Sequence, residues 1–153
     1  MRTIEATQAA AGLRVAVVVS KYNDFVTDRL QAGALAALAK AGVTEITLIK
    51  VPGAFEISLA AHQAAATKQY EAVVCLGCLI RGATAHFEYI ASAVSHGITA
   101  AASATGVPIT FGVLTTNSVE EAIERAGDGP SNKGWEAAVA AVEMAGVIAQ
   151  LKP

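Results

Sequence analysis

The stretch Arg81-Gly82-Ala83-Thr84-Ala85-His86-Phe87 joins a guanidinium, small residues that let backbone N–H groups face a ligand, and an imidazole that titrates near neutrality. Phosphate chemistry would need groups of these kinds. The stretch follows the apolar run Ala72 to Ile80 and precedes a segment with helical spacing, so it reads as a strand-to-helix loop. Each residue also has a plainer reading: Arg81 can cap a turn, and His86 can simply open a helix. Gly77 to Thr84 fits G-x-x-x-x-G-x-[ST], but Ala83 stands where a nucleotide-triphosphate loop carries its lysine, which argues against an NTPase. No G-x-G-x-x-G follows any strand, so a dinucleotide fold has no support.

Other candidates are weaker alone. Tyr22 and Asn23 could stack on and hydrogen-bond a planar heterocycle, although an aromatic staple beside a helix cap is the leading reading of the pair. Glu56, among Ala54, Phe55 and Ile57, either complements a helix dipole or serves as a ligand carboxylate. Arg125 and Lys133 flank a Gly/Pro turn and read first as solvated surface cations. His62 and His96 lie in different helical segments without ligand spacing, so no metal site is expected. Cys75 and Cys78 form Cys-x-x-Cys inside a strand-like run rather than at a helix start, and no second pair completes a zinc site. Three residues apart on a strand they face opposite ways and read as buried structural thiols.

The elements that must position these groups follow from periodicity. Leu13 to Val19, Ile46 to Val51, Ala72 to Leu79 and a run opened by Pro108 and ending at Leu114 read as strands. The first, β-branched and without polar alternation, suits a parallel strand covered on both faces. Between them lie helical segments: Asp24 to Ala41 with Gly42 as its stop, Ala54 to about Thr67, and His86 to about Thr105. Two further helices close the chain, one opened by the capping-box pattern Ser118-Val119-Glu120-Glu121 and one running from Trp135 to about Leu151. Such alternation predicts an α/β fold, a four-stranded parallel sheet between helical layers, with Thr3 to Ala6 as a loose strand or arm. Ligands of such sheets gather at the carboxyl ends of the strands, here Ser20 to Asn23, Pro52 to Glu56, Arg81 to His86 and Thr115 to Asn117.

Composition narrows the partners. A chain of 153 residues fits one domain, residues 1–153 with an N-terminal arm over 1–11. A net charge of -2 offers no basic field for nucleic acid or an anionic membrane. Hydrophobic residues make up 54% of the chain, yet every apolar run is interrupted before it could span a bilayer. Much of that surplus is helical alanine, as in Ala34 to Ala41 and Ala100 to Ala104, whose small faces suit close packing within or between subunits. The start Met1 to Ala6 has neither a signal-peptide core nor a transit pattern, so a cytoplasmic location is expected.

Taken together, Ser20 to Asn23, Pro52 to Ile57, Leu79 to Phe87, Phe111 to Thr116 and Arg125 through Asn132 to Glu136 resemble the 6,7-dimethyl-8-ribityllumazine synthase family over nearly the whole chain. The resemblance implies a flavodoxin-like three-layer sandwich, extended by an N-terminal strand from or to a neighbouring subunit. It also implies the penultimate step of riboflavin synthesis, in which 5-amino-6-(D-ribitylamino)uracil condenses with 3,4-dihydroxy-2-butanone 4-phosphate, losing phosphate and water, without metal or organic cofactor. By position His86 would shuttle protons, and Arg125 would clamp the phosphate with backbone groups around Gly82, Ala83 and Thr84. Tyr22 would stack on the pyrimidine, while Asn23, Ala54, Phe55, Glu56, Leu79 and Ile80 would hold the ring and ribityl chain. Phe111, Lys133 and Arg125 would come from the neighbouring subunit of a homopentamer.

Some members of the family build icosahedral shells, and riboflavin synthase is the partner such a shell would enclose. The arm Thr3 to Gln8 leans towards a shell, whereas Asp128-Gly129-Pro130-Ser131 departs from the lysine-bearing turn of shell formers. Tyr22 departs from the more usual phenylalanine or tryptophan, keeping a stacking face and adding a hydroxyl. A carrier or shell scaffold that binds flavin or lumazine without turnover is the alternative, and a flavodoxin-like electron carrier a third.

Overall fold

Val15 to Val19 lie wholly out of contact with solvent, because the strand they form is central in a parallel sheet covered on both faces. The computed structural model describes residues 1–6 and 11–153. Its strands are β1 (Arg14–Ser20), β2 (Glu45–Val51), β3 (Ala72–Ile80) and β4 (Ile109–Thr116), all parallel in the order β2-β1-β3-β4. The helices are α1 (Asp24–Ala41), α2 (Ile57–Ala66), α3 (His86–Thr105), α4 (Val119–Arg125) and α5 (Lys133–Leu151). The three-layer α/β/α sandwich expected from the sequence is thus present.

Alternation along the strands divides the core in two. Val15, Val17 and Val19 of β1 and Val74, Leu76 and Cys78 of β3 pack with α1, α4 and α5, while Ala16, Val18, Val73 and Cys75 pack with α2 and α3. The two cysteines therefore do face opposite layers as free thiols, and desolvation raises Cys75 to about 12 and Cys78 to about 11.

The boundaries shift by small amounts for local reasons. β4 runs two residues past Leu114 because its ladder with β3 continues through Leu79↔Thr115 and Ile80↔Thr116 and is closed by Arg81 N–H on the Thr116 carbonyl at 2.8 Å. Ala54–Glu56 form a 3-10 turn ahead of α2. Gly42 ends α1 at φ 92°, as its position suggested. Ser118 Oγ accepts from Glu121 N–H at 3.1 Å, but the Glu121 carboxylate takes the Asn117 N–H rather than that of Ser118, so the capping box is offset by one residue. α5 starts two residues before Trp135, because the Asn132 side chain caps it.

Thr3 to Ala6 form no strand in the subunit; the strand alternative needs a partner edge, and these residues lie instead beside α5. The Glu5 carbonyl accepts from Gln150 Nε2 at 2.9 Å, and Ala6 lies against Gly146. The expected arm from residue 7 to 10 lies outside the described residues.

At the opposite end of the sheet from the strand carboxyl ends, Arg14 and Glu71 tie the start of β1 to the start of β3, with Arg14 Nη2 2.6 Å and the Arg14 backbone N–H 2.6 Å from the carboxylate. Arg14's hydrogen bond holds the Glu71 carboxyl below its ordinary value. A group so depressed stabilises the fold above its unfolded pKa and loses that contribution as pH falls through the folded one. Glu71→Gln is therefore expected to lower the urea midpoint slightly at pH 7, with a difference from the parent that vanishes in the acid range; an effect persisting there would mean that the pair acts by packing alone. At pH 8 a thiol reagent is expected to label neither Cys75 nor Cys78 in the folded protein and both in urea; rapid labelling of the native state would contradict their burial.

Candidate functional site

Because the strands are parallel, their carboxyl ends and the loops that follow lie along one edge of the sheet. There a cavity of about 600 Å³ is lined by Tyr22 and Asn23 after β1, Gly53 to Glu56 after β2, Leu79 and Ile80 of β3, and Gly82, Thr84, His86, Phe87 and Ile90. Most of the sequence-predicted site converges here: Tyr22, Asn23, Ala54, Phe55, Glu56, Leu79, Ile80, Gly82, Thr84 and His86. Ala83 lies between two lining residues but is not itself part of the wall. Phe87 and Ile90 add apolar wall that residue types alone did not single out, being one and four positions beyond His86 on α3. A larger hollow of about 740 Å³ between α1 and α5, around Trp135, contains no strand-end residue.

Local structure places each group. Asn23 occupies the N-cap position of α1 at φ 62°, but its side chain caps nothing; Nδ2 donates to the Cys78 carbonyl at 2.9 Å. The carboxamide thereby ties the loop after β1 to β3 at the cavity wall, while the Asn23 carbonyl accepts from Val26 and Thr27 N–H at the start of α1, so the residue is the cap by position and not by its side chain. Its remaining acceptor suits a ligand donor. Tyr22 and Phe55 present exposed rings at 70% and 59%, so two aromatic faces border the cavity without being consumed by the core. Glu56 Oε1 lies over Gly53, within 3.2 Å of where a Cβ would be.

His86 begins the 20-residue α3, whose N-terminus no side chain caps; the Thr84 hydroxyl accepts only a long 3.4 Å bond from His86 N–H. The first-turn N–H groups and the helix dipole are therefore directed at whatever occupies the loop. Arg81, by contrast, is committed elsewhere. Its guanidinium pairs with Glu88, donates to Asn117 Oδ1 at 3.0 Å and lies 4.5 Å from the Phe87 ring centre. Glu88 is held below the usual carboxylate range by its own backbone N–H first and by Arg81 second. Arg81 thus braces the loop that joins β3 to α3, holding it to Asn117 after β4 and to the first turn of α3, the turn-shaping alternative.

The remaining predicted residues, Phe111, Arg125 and Lys133, are not in that cavity. They line a second hollow of about 460 Å³ along β4 and the start of α5, which shares no residue with the first. Arg125 Nη1 reaches the Glu121 carbonyl at 3.3 Å, and Lys133 Nζ pairs with Glu136 at 2.9 Å, all on the surface. Glu136, in the same hollow, is a further charged residue that the sequence reading left without a role. The division is chemically pointed: among the described residues no Lys or Arg lines the first cavity, while two cations and an exposed phenylalanine sit together in the second.

Comparison with known proteins supplies the context for this geometry. The profile of the family described as 6,7-dimethyl-8-ribityllumazine synthase matches residues 12–149. A curated protein of that name from Syntrophus aciditrophicus (strain SB) is 51% identical over 144 residues, covering 93% of this chain and 94% of its own. Another of the same name, from Desulfatibacillum aliphaticivorans, is 46% identical over 153 residues, covering 99% of each. With the family profile matching residues 12–149 and two relatives of that name 46% and 51% identical over nearly the whole chain, the chain belongs to the 6,7-dimethyl-8-ribityllumazine synthase family.

Proposed function

We propose that the chain condenses 5-amino-6-(D-ribitylamino)uracil with 3,4-dihydroxy-2-butanone 4-phosphate to give 6,7-dimethyl-8-ribityllumazine, phosphate and water, as a step of riboflavin biosynthesis. The observation that carries the reading is the strand-end cavity, whose aromatic faces, hydrogen-bonding groups, uncapped helix start and imidazole match those two substrates, in a chain of this family. Tyr22 stacks on the pyrimidine, and Asn23, Ala54, Phe55, Glu56, Leu79 and Ile80 hold the ring and ribityl chain. Gly82, Ala83 and Thr84 turn backbone towards the phosphate, which the α3 N-terminus favours electrostatically. His86 donates and accepts protons during Schiff-base formation and phosphate loss. Orientation of two bound reactants supplies much of the acceleration.

The phosphate needs a cation, and the subunit's own cavity has none among its lining residues. In this reading Arg125, with Phe111 and Lys133, reaches the cavity of an adjacent copy, and the working unit is a cytoplasmic homopentamer of single-domain subunits, residues 1–153. Two features support assembly: exposed Tyr22, Phe55, Leu59, Tyr89 and Phe111, and the edge strand β2, whose Leu48 is 40% exposed and whose outer side could take a strand from a neighbour. Closure of such pentamers into an icosahedral shell around riboflavin synthase is the fullest form of the reading, and electron microscopy of the purified protein distinguishes shell from pentamer.

Mixing the two substrates with the protein is expected to produce the lumazine absorbance faster than the spontaneous condensation; an equal rate would refute the activity. His86→Ala should slow turnover by roughly 10²-fold without abolishing it, and a parental rate would remove His86 from proton transfer. Co-assembling the impaired His86→Ala and Arg125→Ala subunits in equal amounts should return about a quarter of the sites to the parental rate, since an intact site then needs His86 from one copy and Arg125 from the next. No recovery in mixed oligomers would show that both residues serve the same subunit's site.

A further inference from the structure

We propose that Asn132 is a positioning residue for the phosphate clamp: its buried carboxamide sets where the turn bearing Arg125 and Lys133 stands on the subunit. The proposal rests on the reading above, in which those cations complete a neighbour's cavity. Asn132 is 3% exposed, yet every hydrogen-bonding position of its side chain is used. Oδ1 accepts from the Gly134 and Trp135 N–H groups at 2.8 and 3.1 Å, and Nδ2 donates to the Gly127 carbonyl at 2.9 Å and the Arg29 carbonyl at 3.1 Å. One amide therefore joins three pieces of chain: the start of α5, the turn that follows α4, and the body of α1.

Capping explains only half of this arrangement. An N-cap needs an acceptor, which serine or aspartate also supplies. The two donated bonds need an amide, and both go to backbone carbonyls that fasten the turn. Arg125 ends α4 two residues before Gly127, and Lys133 follows Asn132 directly, so the fastened backbone carries both cations. α1 is shaped to receive the amide: a Cβ on Gly33 would lie 2.3 Å from Asn132 Oδ1, and one on Gly134 would lie 2.0 Å from the Leu30 carbonyl oxygen. Asn132 itself lines neither the strand-end cavity nor the hollow that holds the cations. A long arginine side chain can find a phosphate only from a fixed backbone, because a displacement of about 1 Å is costly in orientation-dependent catalysis.

Asn132→Asp keeps the acceptor that caps α5, removes both donors and sets a carboxylate against two carbonyl oxygens. With folding checked by thermal melting and assembly by light scattering, this variant is expected to raise KM for the phosphate-bearing substrate by roughly tenfold, with KM for the pyrimidine and kcat changed less. Added to Arg125→Ala it should change that KM by less than about twofold, because the clamp it positions is already gone. Gly33→Ala, which displaces the same amide from α1, should reproduce the selective KM effect. Equal changes in both KM values, full additivity with Arg125→Ala, or a parental KM in the folded variants would overturn the proposal. Failure of both variants to fold would overturn it too, making the link a condition of the fold rather than of the clamp. If Arg125→Ala alone leaves the KM for the phosphate-bearing substrate unchanged, it is the assignment of the clamp that fails, and the positioning role falls with it.

Discussion

The parallel sheet is the constraint on which the rest of this structure depends. β1 and β3 are buried on both faces, and burying them requires helices above and below, so each strand must return to the same end of the sheet before the next begins. Loops that follow strands are thereby collected along one edge and loops that precede strands along the other. The apolar packing that stabilises the domain and the convergence of distant polar residues on one cavity have the same origin. At the far edge the Arg14 and Glu71 pair joins two strand starts.

On this scaffold the site divides its work between rigid and exposed parts. The Asn23 amide, hydrogen-bonded to the end of β3, and the braced Arg81, tied to α3 and to the residue after β4, fix the wall and the loop. Tyr22, Phe55 and His86 stand out from that frame. Charge is divided in the same way, because Arg125 and Lys133 lie in a hollow separate from the aromatic cavity. An arginine already paired with Glu88 is a poor anion binder, whereas Arg125 donates to a carbonyl of its own helix and forms no ion pair among the described residues.

The sequence was legible wherever local chemistry and periodicity agreed. Strand and helix order, the stop at Gly42, the opposed thiols and the strand-end loops all follow from spacing, since burial on two faces leaves an unmistakable apolar run. Boundaries were less legible where a distant partner sets them. Thr115 and Thr116 belong to β4 because β3 extends opposite them, and Lys133 belongs to α5 because a buried amide before it takes up the first N–H groups. Thr3 to Ala6 carried a strand alternative, but a strand exists only through its neighbour, and within the subunit these residues meet a helix instead.

By itself, then, the amino-acid sequence determined the layer architecture and the inventory of reactive groups, because both are written in residue type and period. The tertiary structure decided what each group is able to do. It took the Asn23 side chain away from the helix start that its backbone caps and tied it to β3, and it made Arg81 a brace rather than a candidate phosphate ligand. It also set Arg125 and Lys133 apart from His86, in a different hollow. The physical reason is that a side chain's role depends on which hydrogen-bond and charge partners reach it first, and those partners lie as far apart along the chain as Asn23 and Cys78, or Arg29 and Asn132.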